Sequence, residues 1–186
     1  MFRPAQLAQA AQQAASRFPI ERRMIPGGDR TVWKRPHDMD SYVCGVDVAE
    51  GLARGDWSVI SVWRIGLERE QVARIKVKCS LADLAKLTEQ IAWEYRGALV
   101  AVEINSFGVS VVENLTSTEN GHQPYPNLYR LEDKGEETDR DGWYTSRATK
   151  RLLIGEYRDD WHAGQIITYD PELIGEMMNI QLADEG

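Results

Sequence analysis

The chain has 186 residues, enough for one α/β domain with a short appendage but not for two full domains. Its apolar and charged fractions are those of a soluble globular protein, and no apolar run approaches the ~20 residues that a membrane span needs. The net charge of −7 argues against tight autonomous binding of nucleic acid, yet it suits a local cluster of carboxylates that holds divalent cations.

Residues 1–40 differ from the rest. Residues 5–18 are rich in alanine and predict a helix, while Pro19, Pro26-Gly27-Gly28 and Pro36 break the chain. This stretch reads as an arm or linker, and its alanines and glutamines form no signal-peptide core. The domain proper, 41–186, opens with an apolar strand over 42–48. A glycine-flanked turn over 51–55 leads to a second strand at 57–65. A third follows at 71–78, with Val72, Arg74 and Lys76 on one face and Ala73, Ile75 and Val77 on the other. Such short connections predict an antiparallel meander.

The period then becomes helical. Leu81, Leu84, Leu87, Ile91 and Tyr95 mark one face, Ser80 is an N-cap and Gly97 a stop. A continuous apolar strand spans 98–104, a helix 107–115 and another strand 127–131. Residues 132–142 are polar, a loop or hairpin. A long helix over 146–163 places Leu152, Leu153, Tyr157 and Trp161 on one buried face, and a short strand follows at 165–169. Pro171 then opens a last helix with Leu173, Ile174 and Met177 inward. Hairpin-linked strands followed by alternating helices and strands predict an α/β fold, a mixed sheet with helices on its faces. Cys44 and Cys79 lack metal-ligand spacing and read as buried free thiols.

Two apolar strands each end in an acid, Asp47 and Glu103. A carboxylate in such a run costs several kcal/mol unless it is paired or binds a metal. A turn cap at Asp47 and a satisfied strand-end acid at Glu103 are the bland alternatives. If the two strands are neighbours, the acids lie side by side and raise each other's pKa unless cations neutralise them. Hard oxygen donors of this kind suit Mg²⁺ or Mn²⁺, and two such ions can drive phosphodiester hydrolysis. Asp56 is an auxiliary acid or a turn residue. Lys150 and Arg147 begin the long helix, where cations oppose the helix dipole, so they are phosphate ligands or solvated charge. Arg54 is a similar candidate. His37, His122 and His162 are remote from the acids in sequence, and Trp57 and Trp63 share one strand face.

Several segments, in order, resemble the nuclease domain of phage large terminase subunits. They are Gly45-Val46-Asp47-Val48-Ala49-Glu50-Gly51 with Gly55-Asp56-Trp57-Ser58, and Val102-Glu103-Ile104-Asn105 with Gly108. Gly142-Trp143-Tyr144-Thr145 with Thr149-Lys150 and Leu152-Leu153, and the stretch over 170–177, complete the set. The resemblance spans 42–186. It implies a ribonuclease H-like fold and an endonuclease that cuts double-stranded viral DNA with two Mg²⁺ or Mn²⁺ ions, Asp47 and Glu103 matching the first two ligand positions. It also implies a terminase ATPase domain, a small terminase subunit and a portal or procapsid as partners, in the host cytoplasm. The family's third acid follows its final helix. Here Asp184 and Glu185 stand near that place, and the domain reads as cut before its last acidic motif. No G-x-x-x-x-G-K-[ST] loop is present for the motor's ATPase. The alternative is a catalytically weak nuclease-like module that binds DNA or docks to the motor. A sugar-kinase-type ATPase needs a duplicated domain that this length cannot hold, and a junction resolvase usually carries a more basic surface.

Overall fold

The computed structural model describes residues 2–50, 55–133 and 136–183. The chain runs α1 (Pro4–Ser16), β1 (Glu21–Ile25), β2 (Gly28–Val32), β3 (Ser41–Asp47), β4 (Ser58–Ile65), β5 (Arg69–Val77), α2 (Leu81–Glu94) and β6 (Leu99–Val102). It continues through α3 (Gly108–Thr116), β7 (Arg130–Asp133), β8 (Glu136–Asp141), α4 (Arg147–His162), β9 (Ile166–Ile167) and α5 (Pro171–Ala183). The main sheet is ordered β1-β2-β5-β4-β3-β6, and β9 pairs with β5. The strands from β1 to β3 across the sheet are antiparallel, as the short connections within the meander require. β3 and β6 are parallel, because α2 carries the chain back across the sheet. The expected mixed sheet is therefore present.

Residues 1–40 depart from the expected arm. β1 and β2 form a hairpin that extends the sheet through β5, and α1 packs on α5. Phe2, Leu7, Ala10 and Ala14 are buried there with Trp161, Ile174 and Met177. Little of this shows in the sequence, because β1 is Glu-Arg-Arg-Met-Ile and its polar side chains face water.

One face of the sheet is sealed. Tyr42, Cys44, Val46, Ile60, Val62, Ile75, Val77, Val100 and Val102 form a continuous core with Leu84, Ile91 and Tyr95 of the α2 region and Val111 and Leu115 of α3. The Ser80 side chain accepts the Asp83 N–H at 3.1 Å, the cap its position predicts. Both cysteines are free; Cys44 is buried, which pushes its thiol up to about 12, and Cys79 is partly buried. A bulge between Val62 and Trp63 shifts the β4–β5 register, so Val72 joins this core instead of sharing a face with Arg74.

The opposite face is covered by α4 and α5 only in part. Trp161 is buried and Tyr157 half-buried, but Leu152 and Leu153 are 61% and 49% exposed, unlike the continuous buried face expected. The first half of α4 leaves a groove of about 540 Å³ over Val43, Gly45, Val59 and Trp63. Beyond β6 the next strand is split. The Val100 N–H donates to the Asn127 carbonyl at 2.9 Å, and the Trp143 N–H to the Val102 carbonyl at 2.7 Å. Between them the chain leaves as the β7–β8 hairpin, as the polar composition of 132–142 allowed. Gly142 (φ +102°) closes the excursion where any Cβ would strike Ile104. Among the described residues, no helix is long and apolar enough to cross a membrane.

Candidate active site

Asp47 is the last residue of β3, and Val46 pairs with Val102 of β6 in parallel register. The Glu103 N–H donates to the Val46 carbonyl at 2.9 Å, which carries the register one step further. Asp47 and Glu103 therefore leave the same end of neighbouring strands on one face, at the rim of the partly covered groove. α3 starts close behind Glu103, since a Cβ on Gly108 would collide with the Glu103 carbonyl.

The two carboxyl groups reach each other. Partial burial is the largest cause that raises the Asp47 pKa, although the residue opens to solvent on one side. The charge of Glu103 and a hydrogen bond with its carboxyl raise it further, while the Val48 N–H and the charge of Lys150 pull the other way. Lys150 supplies positive charge that acts on Asp47.

Lys150 is aimed by the start of α4. The Ser146 side chain accepts the Thr149 N–H at 3.1 Å, and the Thr149 hydroxyl accepts the Ser146 N–H at 2.8 Å, a reciprocal cap. Asn105, two residues beyond Glu103, ties this start to the strand end. Its Nδ2 donates to the Thr145 carbonyl at 2.6 Å and its Oδ1 accepts the Thr145 N–H at 2.8 Å. Arg147 is exposed, with no bond or ion pair joining it to either acid, and Arg54 lies outside the described residues. So do Asp184 and Glu185.

A second cavity of about 300 Å³ adjoins Asp47 and is also lined by Asp56, Trp57, Lys76, Asp170 and Glu176. It brings Asp56 into the same neighbourhood. It also adds Glu176, which the sequence reading missed. Burial most of all raises the Glu176 pKa, followed by the charge of Asp170; Lys76 lowers it and Asp47 raises it again. The available signal was helical spacing, because Glu172 and Glu176 stand four residues apart on one face of α5. His122 bonds Glu89 at 3.0 Å on the far side of the sheet, away from these acids.

Among the described residues, no three His, Cys, Asp or Glu side chains converge closely enough to hold an ion as they stand. The donor set nevertheless fits a hard divalent cation. Asp47 and Glu103 present oxygens at the same strand ends and repel each other without one, and Asp56 and Glu176 face the adjoining cavity.

No family model matches the chain. No curated protein matches it either. Solved structures do. The large terminase nuclease from thermophilic phage G20c with bound magnesium superposes with a TM-score of 0.59 at 16% identity, over 89% of this chain and 76% of that one. The same nuclease with bound zinc gives a TM-score of 0.60 at 16% identity, over 92% and 87%. The Thermus phage P74-26 large terminase nuclease domain gives 0.58 at 18%, over 90% and 76%. The chain therefore has the ribonuclease H-like fold of phage large terminase nuclease domains.

Proposed function

We propose that the protein is the metal-dependent DNA endonuclease domain of a viral or prophage packaging terminase, working in the host cytoplasm. The observation that carries this reading is the pairing of Asp47 and Glu103 at adjacent parallel strand ends, where burial and the charge of Glu103 raise the Asp47 pKa despite Lys150. Structural acids are normally matched by cations; this pair is left for a ligand to neutralise.

Asp47 and Glu103 would hold Mg²⁺ or Mn²⁺ in a two-ion site, with Glu176 or Asp56 completing the oxygen set from across the cavity. When bound, the ions supply a water of lowered pKa and neutralise charge at the scissile phosphate. Lys150 would hold a non-bridging phosphate oxygen beside Asp47, and Arg147, on the same exposed helix start, a phosphate further along. The substrate is double-stranded DNA. The ATPase domain of the motor, the small terminase subunit and the portal or procapsid are its partners.

One observation favours a second reading, a nuclease-like module that binds DNA without cutting it: no third metal-ligating residue converges on the acid pair among the described residues. Nicking of supercoiled plasmid with Mn²⁺ or Mg²⁺ separates the two. We expect cleavage that chelation abolishes and that Asp47→Ala or Glu103→Ala lowers by about 10²–10³-fold, as for a lost element of charge stabilisation. Cleavage that survives Asp47→Ala rejects the site. Absence of cleavage with either ion rejects the enzyme and leaves the binding module.

A further inference from the structure

Trp57 stands just before β4 and is 41% exposed, though it lines the same cavity as Asp47. Two ammonium groups lie against its ring, Lys76 Nζ at 5.1 Å and Lys78 Nζ at 4.8 Å from the centroid. The sheet register explains their meeting. Asp47 pairs with Val59 and Val59 with Lys76, so these residues form one row across β3, β4 and β5. Trp57 and Lys78 lie two residues beyond Val59 and Lys76 and belong to the same face. Two strand spacings of about 4.8 Å put Lys76 roughly 10 Å from Asp47. One duplex strand carries a phosphate about every 3.4 Å of axis, so this edge lies about three steps along a strand from the acids.

The two lysines are not equivalent. Lys76 is paired with Glu172, which Arg74 also contacts at 3.3 Å. Lys78 pairs with no carboxylate among the described residues. In a chain of net charge −7, an unmatched lysine against a half-exposed indole, two residues beyond the row that leads to Asp47, is an unusual grouping.

We infer that Trp57 and Lys78 form a strand-guiding platform for nucleic acid, Trp57 stacking an unpaired base and Lys78 holding its flanking phosphate. The inference rests on the nuclease reading for its substrate. An indole offers a π-face to any base, and an ammonium on a flexible stem can leave the ring for a phosphate. Packing alone would bury the indole, which is instead 41% exposed. Lys76, held by Glu172, sets the inner limit of the track toward Asp47.

The test is binding of labelled single-stranded, forked and blunt duplex oligonucleotides, read by fluorescence anisotropy in EDTA so that nothing is cut. Trp57→Ala should weaken single-stranded and forked binding about 10-fold, and Trp57→Phe by less than about 3-fold. Lys78→Ala should weaken all three and lower the salt slope by about one. Part of the tryptophan quenching on binding should vanish in Trp57→Phe. Far-UV circular dichroism checks that each variant is folded, and the Phe variant serves if the Ala variant is not. Unchanged affinity in Trp57→Ala, or a loss seen only with blunt duplex, overturns the platform. The two readings fail separately. Plasmid nicking with intact binding by Trp57→Ala defeats the platform alone, while a Trp57 effect on binding without any nicking defeats the nuclease alone.

Discussion

Glu70 and Asp47 are both acids on strands of one sheet, and they are treated in opposite ways. Glu70 is 1% exposed and saturated with partners: Lys34 at 2.7 Å, Arg64 at 3.1 Å and the Tyr169 hydroxyl at 2.7 Å. Burial pushes its pKa up, but the bonds from Lys34 and Tyr169 and the charges of Lys34 and Arg64 together bring it below the ordinary value. Asp170 is held likewise, both of its carboxylate oxygens accepting from Arg74 Nη1 at 2.9 and 3.1 Å. Asp47 meets another carboxyl instead, and its pKa rises. Glu70 and Asp170 arrive with their cations in bonding distance; Asp47 faces Glu103. The same contrast divides the faces of the sheet, since α2 and α3 seal the apolar side while both cavities that reach Asp47 open on the other.

The largest test removes a cation from the saturated group. Arg74→Ala strands Asp170 and Asp29, and we expect a loss of about 3–5 kcal/mol by guanidinium unfolding. A loss below 1 kcal/mol would make that network decorative. Next comes supply of a divalent cation to the other group. Mn²⁺ at about 100 times its Kd should stabilise the wild type by about 2.7 kcal/mol, seen as a Tm rise of roughly 5–10 °C, and should not stabilise Asp47→Ala. Equal shifts in both proteins would place the ion elsewhere.

Glu70→Gln should cost about 2–3 kcal/mol at pH 7, as charged hydrogen bonds are lost. The folded pKa of Glu70 is lowered, so its stabilisation is present above the unfolded value of about 4.3 and disappears as pH falls through the folded one. The gap between wild type and Glu70→Gln should therefore narrow on acidification. A gap constant from pH 7 to pH 3 contradicts the assignment. The smallest effect belongs to Asp47→Asn. It relieves repulsion from Glu103, so in the absence of metal Tm should hold or rise by about 2–4 °C at most, discounted for solvent screening. A clear drop would class Asp47 with Glu70 as a structural acid.

Much of this was legible along the chain. Strands β3 to β6 and helices α2 and α3 follow from apolar period and caps, and the neighbourhood of Asp47 and Glu103 follows once their strands are parallel neighbours. The β1–β2 hairpin was not legible, because β1 keeps its polar side chains in water and shows no alternation to read. Nor was the exposure of Leu152 and Leu153. Their spacing marks a helix face, but the distance of that face from the sheet depends on the packing of Trp161 and Tyr157 further along.

The sequence by itself determined which segments become strands and helices, and that two strands end in acids, because period and capping act over a few residues. Only the tertiary structure decided which acids are neutralised. Arg74 finds Asp170 across 96 positions and Tyr169 finds Glu70 across 99, and no local pattern encodes such pairings. Glu176 comes toward Asp47 only because α5 closes over β4 and β5, and Trp57 meets Lys78 only through the strand register. Long-range electrostatics separates the neutralised carboxylates from the Asp47–Glu103 pair, and that separation exists only once the sheet is assembled.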